Sequence, residues 1–164
     1  MIRRWRDRRH HDHHAAESAR PAEHRRSYRM SLASTWPAAR TSRRITVTVL
    51  TGWGVPPRTL VHDAAVLAVT ELVTNAVRHT GSRSPFFDLL LAVSGTHLEA
   101  GVRDGHPDLP DVPRAGDEGG LADVAGLVRH LGGELKIQPV PDGGKTVYVR
   151  LPLSPPSPST AIPQ

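Results

Sequence analysis

The order of patterns along the chain predicts an α+β fold: a two-layer α/β sandwich, with helices covering one face of a mixed, mostly antiparallel sheet. Three observations predict it. A long amphipathic helical pattern fills residues 58–80. Two pairs of alternating segments follow, at 85–103 and 134–151, each joined by a short glycine-containing turn. The regular strand–helix–strand alternation of a parallel sheet is missing, as is any GxxxxGK[ST] phosphate loop.

Taken in order, residues 1–28 carry eight arginines against four carboxylates and show no sustained period, the composition of a disordered leader. The leader holds His10, His11, His13 and His14, a run that binds transition metals weakly when flexible, although a solvated tail is the plainer reading. Most of the formal net charge of +5 lies there, so the remainder is close to neutral and no specific nucleic-acid partner is expected. The composition changes just before Met30, which makes Met30 a second candidate start of translation.

Residues 29–35 carry a weak strand signal. Trp36-Pro37 then opens a helix, proline suiting the first turn, and 38–50 continue it. Within it, 45–50 (ITVTVL) is β-branched and alternating, which favours a strand. Helix is the reading adopted because 51–54 (TGWG) forms a C-terminal stop and Arg40, Arg43 and Arg44 supply a polar face. In 58–80, Val66, Val69, Val73 and Ala76 recur every three or four residues and must face the core. Glu71, Asn75, Arg78 and His79 fall on another face, spread over about two turns or roughly 11–12 Å. A carboxylate, an amide, a guanidinium and an imidazole in one line supply a general base, a metal or polar ligand and a cation for phosphate. The same stripe by itself also describes an ordinary solvated helix face.

Residues 85–93 and 97–103 read as an antiparallel hairpin. Its exit, 104–110, is turn-rich and begins Asp104-Gly105, where an exposed carboxylate at the strand end is expected. A flexible acidic loop, 111–119, precedes a helix over 120–130, which Gly132-Gly133 ends. Strands at 134–140 and 145–151 form the second hairpin, and 154–164 is an unstructured Pro/Ser tail. The foldable domain is therefore 29–153. Aromatics make up only 4% of the chain, so its core must be aliphatic. The absence of cysteine excludes disulfides, thiolate metal sites and cysteine nucleophiles. No unbroken run approaches the roughly 18 apolar residues of a membrane span, and the arginine-rich start is no secretory signal, so a cytoplasmic protein without a membrane partner is expected.

Four segments stand in a fixed order: 71–80 (ELVTNAVRHT), 102–107 (VRDGHP), 116–121 (GDEGGL) and 143–151 (GGKTVYVRL). Together they resemble the GHKL ATPase superfamily of gyrase, the heat-shock chaperone, histidine kinases and the mismatch-repair ATPase. The likeness spans about residues 30–153 and is nearest to small stand-alone ATP-binding proteins of the anti-sigma-factor serine/threonine kinase type. It implies a Bergerat-type ATP-binding fold with ATP and Mg²⁺ as cofactors. By this resemblance Glu71 polarises the attacking hydroxyl or water, Asn75 coordinates the metal, and Arg78 and His79 approach phosphate. Asp104, with Gly105, takes the adenine amino group, Gly116, Gly120 and Leu121 belong to the phosphate-cradling glycine loop, and Thr146 helps bind adenine through water. Lys145 is either a surface residue or a phosphate contact. The chain departs from the pattern at Glu118, where a glycine is expected, and at Asp123, where an apolar residue is usual.

The implied function is transfer of the ATP γ-phosphoryl group to a partner serine or threonine, sequestration of a sigma factor, or both. The implied partners are a sigma factor, an anti-anti-sigma factor and a second copy of the chain as a homodimer. The alternative is a degenerate nucleotide-binding or protein-interaction module without kinase activity. An autophosphorylating sensor kinase is not expected, since a dimerising helix region with a phosphoacceptor histidine has no room here.

Overall fold

In the computed structural model, residues 25–80, 83–114 and 116–154 are described. The expectations for the leader up to residue 24 and for the tail from residue 155 lie outside them. The elements run β1 (Arg26–Ala33), α1 (Pro37–Gly52), α2 (Leu60–Thr80), β2 (Phe86–Val93), β3 (His97–Asp104), α3 (Gly120–His130), β4 (Glu134–Pro139) and β5 (Lys145–Pro152). The five strands form one sheet in the order β1-β2-β3-β5-β4. Every neighbouring pair is antiparallel, so among the described residues the sheet has no parallel component.

A two-residue period divides the sheet into a covered and an open face. In β5, Lys145, Val147, Val149 and Leu151 are buried while Thr146, Tyr148 and Arg150 are half-buried. The helices lie on the covered side, where Leu89, Leu91, Leu98, Val102, Val149 and Leu151 join Leu50, Val69, Val73, Val124 and Val128 in one core. Phe87 is the one aromatic ring among the buried members of that core, in keeping with an aliphatic composition. The open face carries cross-strand ion pairs, including Arg29–Asp88 at 2.6 Å and Arg25–Glu99 at 2.9 Å. At the β4 edge, Lys136 Nζ donates to Glu134 Oε1 at 2.8 Å, and that hydrogen bond holds the Glu134 carboxyl below its usual range. Solvated pairs of this kind add little stability.

Residues 45–50 are helical despite their β-branched alternation. Ala38, Ser42, Thr46 and Leu50, each four residues apart, form the buried stripe of α1, and Thr46 Oγ1 donates to the Ser42 carbonyl at 2.8 Å. Packing of that stripe outweighs local strand propensity. The α2 helix starts at Leu60 rather than 58, because Arg58 sits at φ 65°, in the left-handed region a helix cannot use. Thr59 then caps the helix, its Oγ1 accepting the His62 N–H at 3.3 Å.

The β1 strand also differs from expectation. It covers 26–33 rather than 29–35, so Arg26, Ser27 and Tyr28 pair with Val93, Ala92 and Leu91 instead of belonging to a disordered leader. Most of this edge strand is exposed, which is why no apolar alternation announces it. By length and mean hydropathy (1.4) alone, Leu60–His79 would suffice to cross a membrane. Here Ala65, Ala68, Val69, Leu72 and Val73 of the span are core, packed toward the sheet, while Leu60 and Leu67 are exposed.

The two-face division yields a test by urea unfolding. Leu89→Ala, on the covered face of β2, should cost about 2–5 kcal/mol. Leu90→Ala, one residue away on the open face, should cost clearly less. Equal losses, or the reverse order, would contradict the assignment of faces.

Candidate functional site

Where α2 and β3 end and α3 begins, a cleft of about 790 Å³ opens at the rim of the covered face. Leu72 and Ala76 of α2, Val102 of β3 and Val147 of β5 give it apolar walls. Its polar lining comes from three sources: Asn75, Arg78 and His79 at the end of α2, Asp104 and Lys145 at the strand ends, and the connection between β3 and α3. A concave, partly apolar cavity of this size with a few convergent polar groups is the usual form of a small-molecule site.

The end of α2 behaves largely as its spacing suggests. Asn75 is half-buried, and Arg78 and His79 are exposed in the last turn, where the carbonyl end of the helix favours cations. Glu71 departs from the group. It does not line the cleft, and its carboxylate lies against Gly120, where any Cβ would collide with Oε2. The missing side chain at Gly120 thus lets an anion sit at the N-terminal end of α3, the end whose dipole favours negative charge. Gly119, just before it, has φ 112°, a conformation other residues adopt with strain. Gly119, Gly120 and Leu121 all line the cleft, whereas Gly116, at φ 97°, does not.

At the strand ends, Asp104 and Lys145 face each other across β3 and β5. Lys145 Nζ donates to Asp104 Oδ1 at 3.0 Å and to the His106 carbonyl at 3.3 Å. The same Oδ1 accepts the His106 backbone N–H at 2.9 Å. The Asp104 side chain is only 5% exposed and that of Lys145 11%. The expected exposed carboxylate is therefore a buried one, tolerable because its counter-charge is buried with it. Gly105 supports it from the backbone: its N–H donates to Ser84 Oγ at 2.9 Å, and Ser84 in turn donates to the Phe86 carbonyl at 2.7 Å.

Thr146 is not brought to this site. The alternation of β5 turns it to the open face, where it borders a separate groove with Tyr28, Arg29 and Tyr148. Lys145 holds the cleft position instead. The burial of Val147, Val149 and Leu151 at two-residue spacing is the signal that would have placed it there. Also unanticipated are His106 and the carboxylates of Asp108, Asp111 and Asp117, which line the cleft together with Glu118. Asp123 is exposed in the first turn of α3 and outside the cleft, where a carboxylate favours the helix. Among the described residues, no group of three or more His, Cys, Asp or Glu is arranged to hold a metal ion.

Comparison with known proteins adds two findings. Residues 61–155 match the family described as histidine kinase-, DNA gyrase B-, and HSP90-like ATPase. Among solved structures, the chain is similar to the histidine kinase domain of the blue-light activated histidine kinase from Erythrobacter litoralis EL346, with 24% sequence identity and a TM-score of 0.46. That alignment covers 70% of this chain and 60% of the other, so the chain spans less than two thirds of its length. No curated protein matches the chain.

The buried pair can be tested by a double-mutant cycle. Asp104→Asn and Lys145→Met should each destabilise by about 3–5 kcal/mol, because each strands a buried partner. The double variant should lose less than the sum, with a coupling of about 1–3 kcal/mol in chemical denaturation. Additive losses would mean that the two groups do not stabilise one another.

Proposed function

Because the chain belongs to the histidine kinase-, DNA gyrase B-, and HSP90-like ATPase family, we propose that the cleft binds ATP with Mg²⁺ and that the protein transfers the γ-phosphoryl group to a serine or threonine of a protein partner. One observation carries the nucleotide half of this reading. A single cleft combines the Arg78 guanidinium and the His79 imidazole at the end of α2, the N-terminal end of α3 and a buried carboxylate beside apolar walls. These are the chemistries that phosphates and a base require of a site.

The residues fit the ligand part by part. Arg78 and His79 would approach the phosphates, and Leu72, Ala76, Val102 and Val147 would flank the base, with Asp104 taking its amino group. The amide oxygen of Asn75 suits a hard cation. Asn75, which lines the cleft, would hold that cation. Bound Mg²⁺ would supply neutralisation of phosphate charge. Neutralisation matters more here than usual, since Asp108, Asp111, Asp117 and Glu118 all border the cleft and oppose a polyanion. Gly105 would act through Ser84 rather than by touching the ligand, and Gly116 would shape the loop.

In the transfer step Glu71 would accept the hydroxyl proton as the oxygen–phosphorus bond forms and the bond to the departing ADP breaks, with positioning and charge neutralisation dominating the barrier. By the resemblance noted above, the partner would be an anti-anti-sigma factor that is phosphorylated, a sigma factor that is sequestered, or both, in the cytoplasm, with a second copy of the chain as a candidate dimer partner. A second reading, a nucleotide-binding module without transfer, is favoured by one observation. The Glu71 carboxylate packs against Gly120 and is absent from the cleft lining, while Glu118 is present in it.

Calorimetry checks the first half. ATP should bind with Mg²⁺, lose its heat on adding a chelator, and bind at least about tenfold more weakly to Asn75→Ala. No heat with ATP or ADP would remove the nucleotide reading. Radiolabel transfer to candidate partners checks the second half: Glu71→Gln should abolish transfer and retain binding. Binding without any Glu71-dependent transfer would favour the module.

A further inference from the structure

The arginines along the open face each have a carboxylate in reach: Arg25 and Arg150 with Glu99, Arg29 with Asp88, and Arg103 with Asp142. Those of α1 do not. Arg40, Arg43 and Arg44 are exposed, and none forms an ion pair with another described residue. No acidic residue occurs in α1 to balance them. Trp36, at the N-cap, makes no side-chain capping hydrogen bond and is 67% exposed. Helix stability asks for the opposite: a small polar cap and carboxylates in the first turn. Trp36, Arg40, Arg43 and Arg44 follow helical spacing and share one outer face, over about 12 Å at 1.5 Å per residue.

A second exposed ring stands at the same end of the molecule. Phe86 is 60% exposed and pairs across the sheet with Ala33, three residues before Trp36. Ser34 donates its N–H to the Pro85 carbonyl at 2.8 Å. The neighbouring Ser84 accepts the Gly105 N–H at 2.9 Å, so the start of α1 is tied to the strand end that carries Asp104 and borders the cleft. Exposed tryptophan and arginine are the residues on which protein interfaces most depend. Three unpaired guanidiniums complement carboxylates, and they are few for a nucleic-acid backbone, where affinity grows with each phosphate neutralised. Resting on the reading that a protein partner comes to this cleft, we propose that the outer face of α1, together with Phe86, docks an acidic segment of that partner. Trp36 and Phe86 take apolar side chains of the segment, and Arg40, Arg43 and Arg44 pair with its carboxylates.

Panning random displayed peptides on the immobilised full chain, then measuring an enriched peptide by fluorescence anisotropy, tests this. Enriched sequences should be acidic and carry aromatic or large aliphatic residues. Reversing three charges together, Arg40→Glu with Arg43→Glu and Arg44→Glu, should weaken the peptide at least about tenfold, and Trp36→Ala by about 10- to 30-fold. The same reversal at Arg3, Arg4 and Arg6 should leave it unchanged. Should the triple α1 variant fail to fold, as judged by circular dichroism, Trp36→Ala and Arg43→Gln decide. No enrichment, neutral or basic sequences, binding unmoved by the α1 variants, or binding lost on reversal at Arg3, Arg4 and Arg6 overturns the inference. So does α1-dependent binding of duplex DNA or phosphatidylserine vesicles that is tighter than that of the peptide. Mg-ATP calorimetry on the same proteins keeps the two readings apart. Unchanged ATP heat beside any of those failures removes the docking surface alone. Absent ATP heat beside α1-dependent peptide binding removes the nucleotide reading alone.

Discussion

Along α2, Ala64, Ala65, Ala68 and Ala76 are buried together with Val69, Leu72 and Val73, and this largely small-residue face packs on β3 and β5. Short side chains let a helix lie close to a sheet, so few residues in the core need to be large. The same helix packs against α1 on one side and α3 on the other, which places the helical layer on one face of the sheet. Its last turn, with Arg78 and His79, borders the cleft at the rim of the sheet. The polar residues there cannot be part of the core and instead border a cleft.

That rim also explains why a buried ion pair is tolerated. At the ends of β3 and β5 the strand alternation still turns Asp104 and Lys145 toward the helical layer, but the apolar packing has run out. Each charge solves the other's desolvation, with the His106 backbone completing the hydrogen bonds. The arrangement sets the polarity of one end of the cleft. At the other end, helix termini do similar work: the end of α2 favours Arg78 and His79, and the start of α3 favours the carboxylate of Glu71.

Most of this fold was legible in the sequence. The three helices, both hairpins and the one-sided cover follow from 3.6- and two-residue periods; boundaries moved, and the sheet is antiparallel in every described pair rather than mixed. The boundary shifts have local causes, the left-handed Arg58 at the start of α2 and the exposure of β1 at the sheet edge. That Asn75, Arg78, His79 and Asp104 border one cleft was legible from a helix period and a strand end. Gly120 and Leu121, which the resemblance implied, line the cleft at the start of α3. The site was misread by one residue at Thr146, because the alternation of β5 fixes Lys145 on the covered face. The position of Glu71 behind Gly120 is a tertiary contact between two helices, and no local pattern reports it. Nor does any pattern show that the acidic residues between β3 and α3 border the cleft, since a loop carries no period from which to read a direction.

The most direct measurement of the central claim is a crystal structure of the full chain grown with Mg²⁺ and a non-hydrolysable ATP analogue. The account predicts the analogue in the cleft between α2, the ends of β3 and β5, and α3. Its phosphates should lie toward Arg78 and His79, its metal at Asn75 and its base at Asp104. An analogue bound instead in the open-face groove beside Thr146, or a cleft that stays free of it at saturating concentration, would contradict the account.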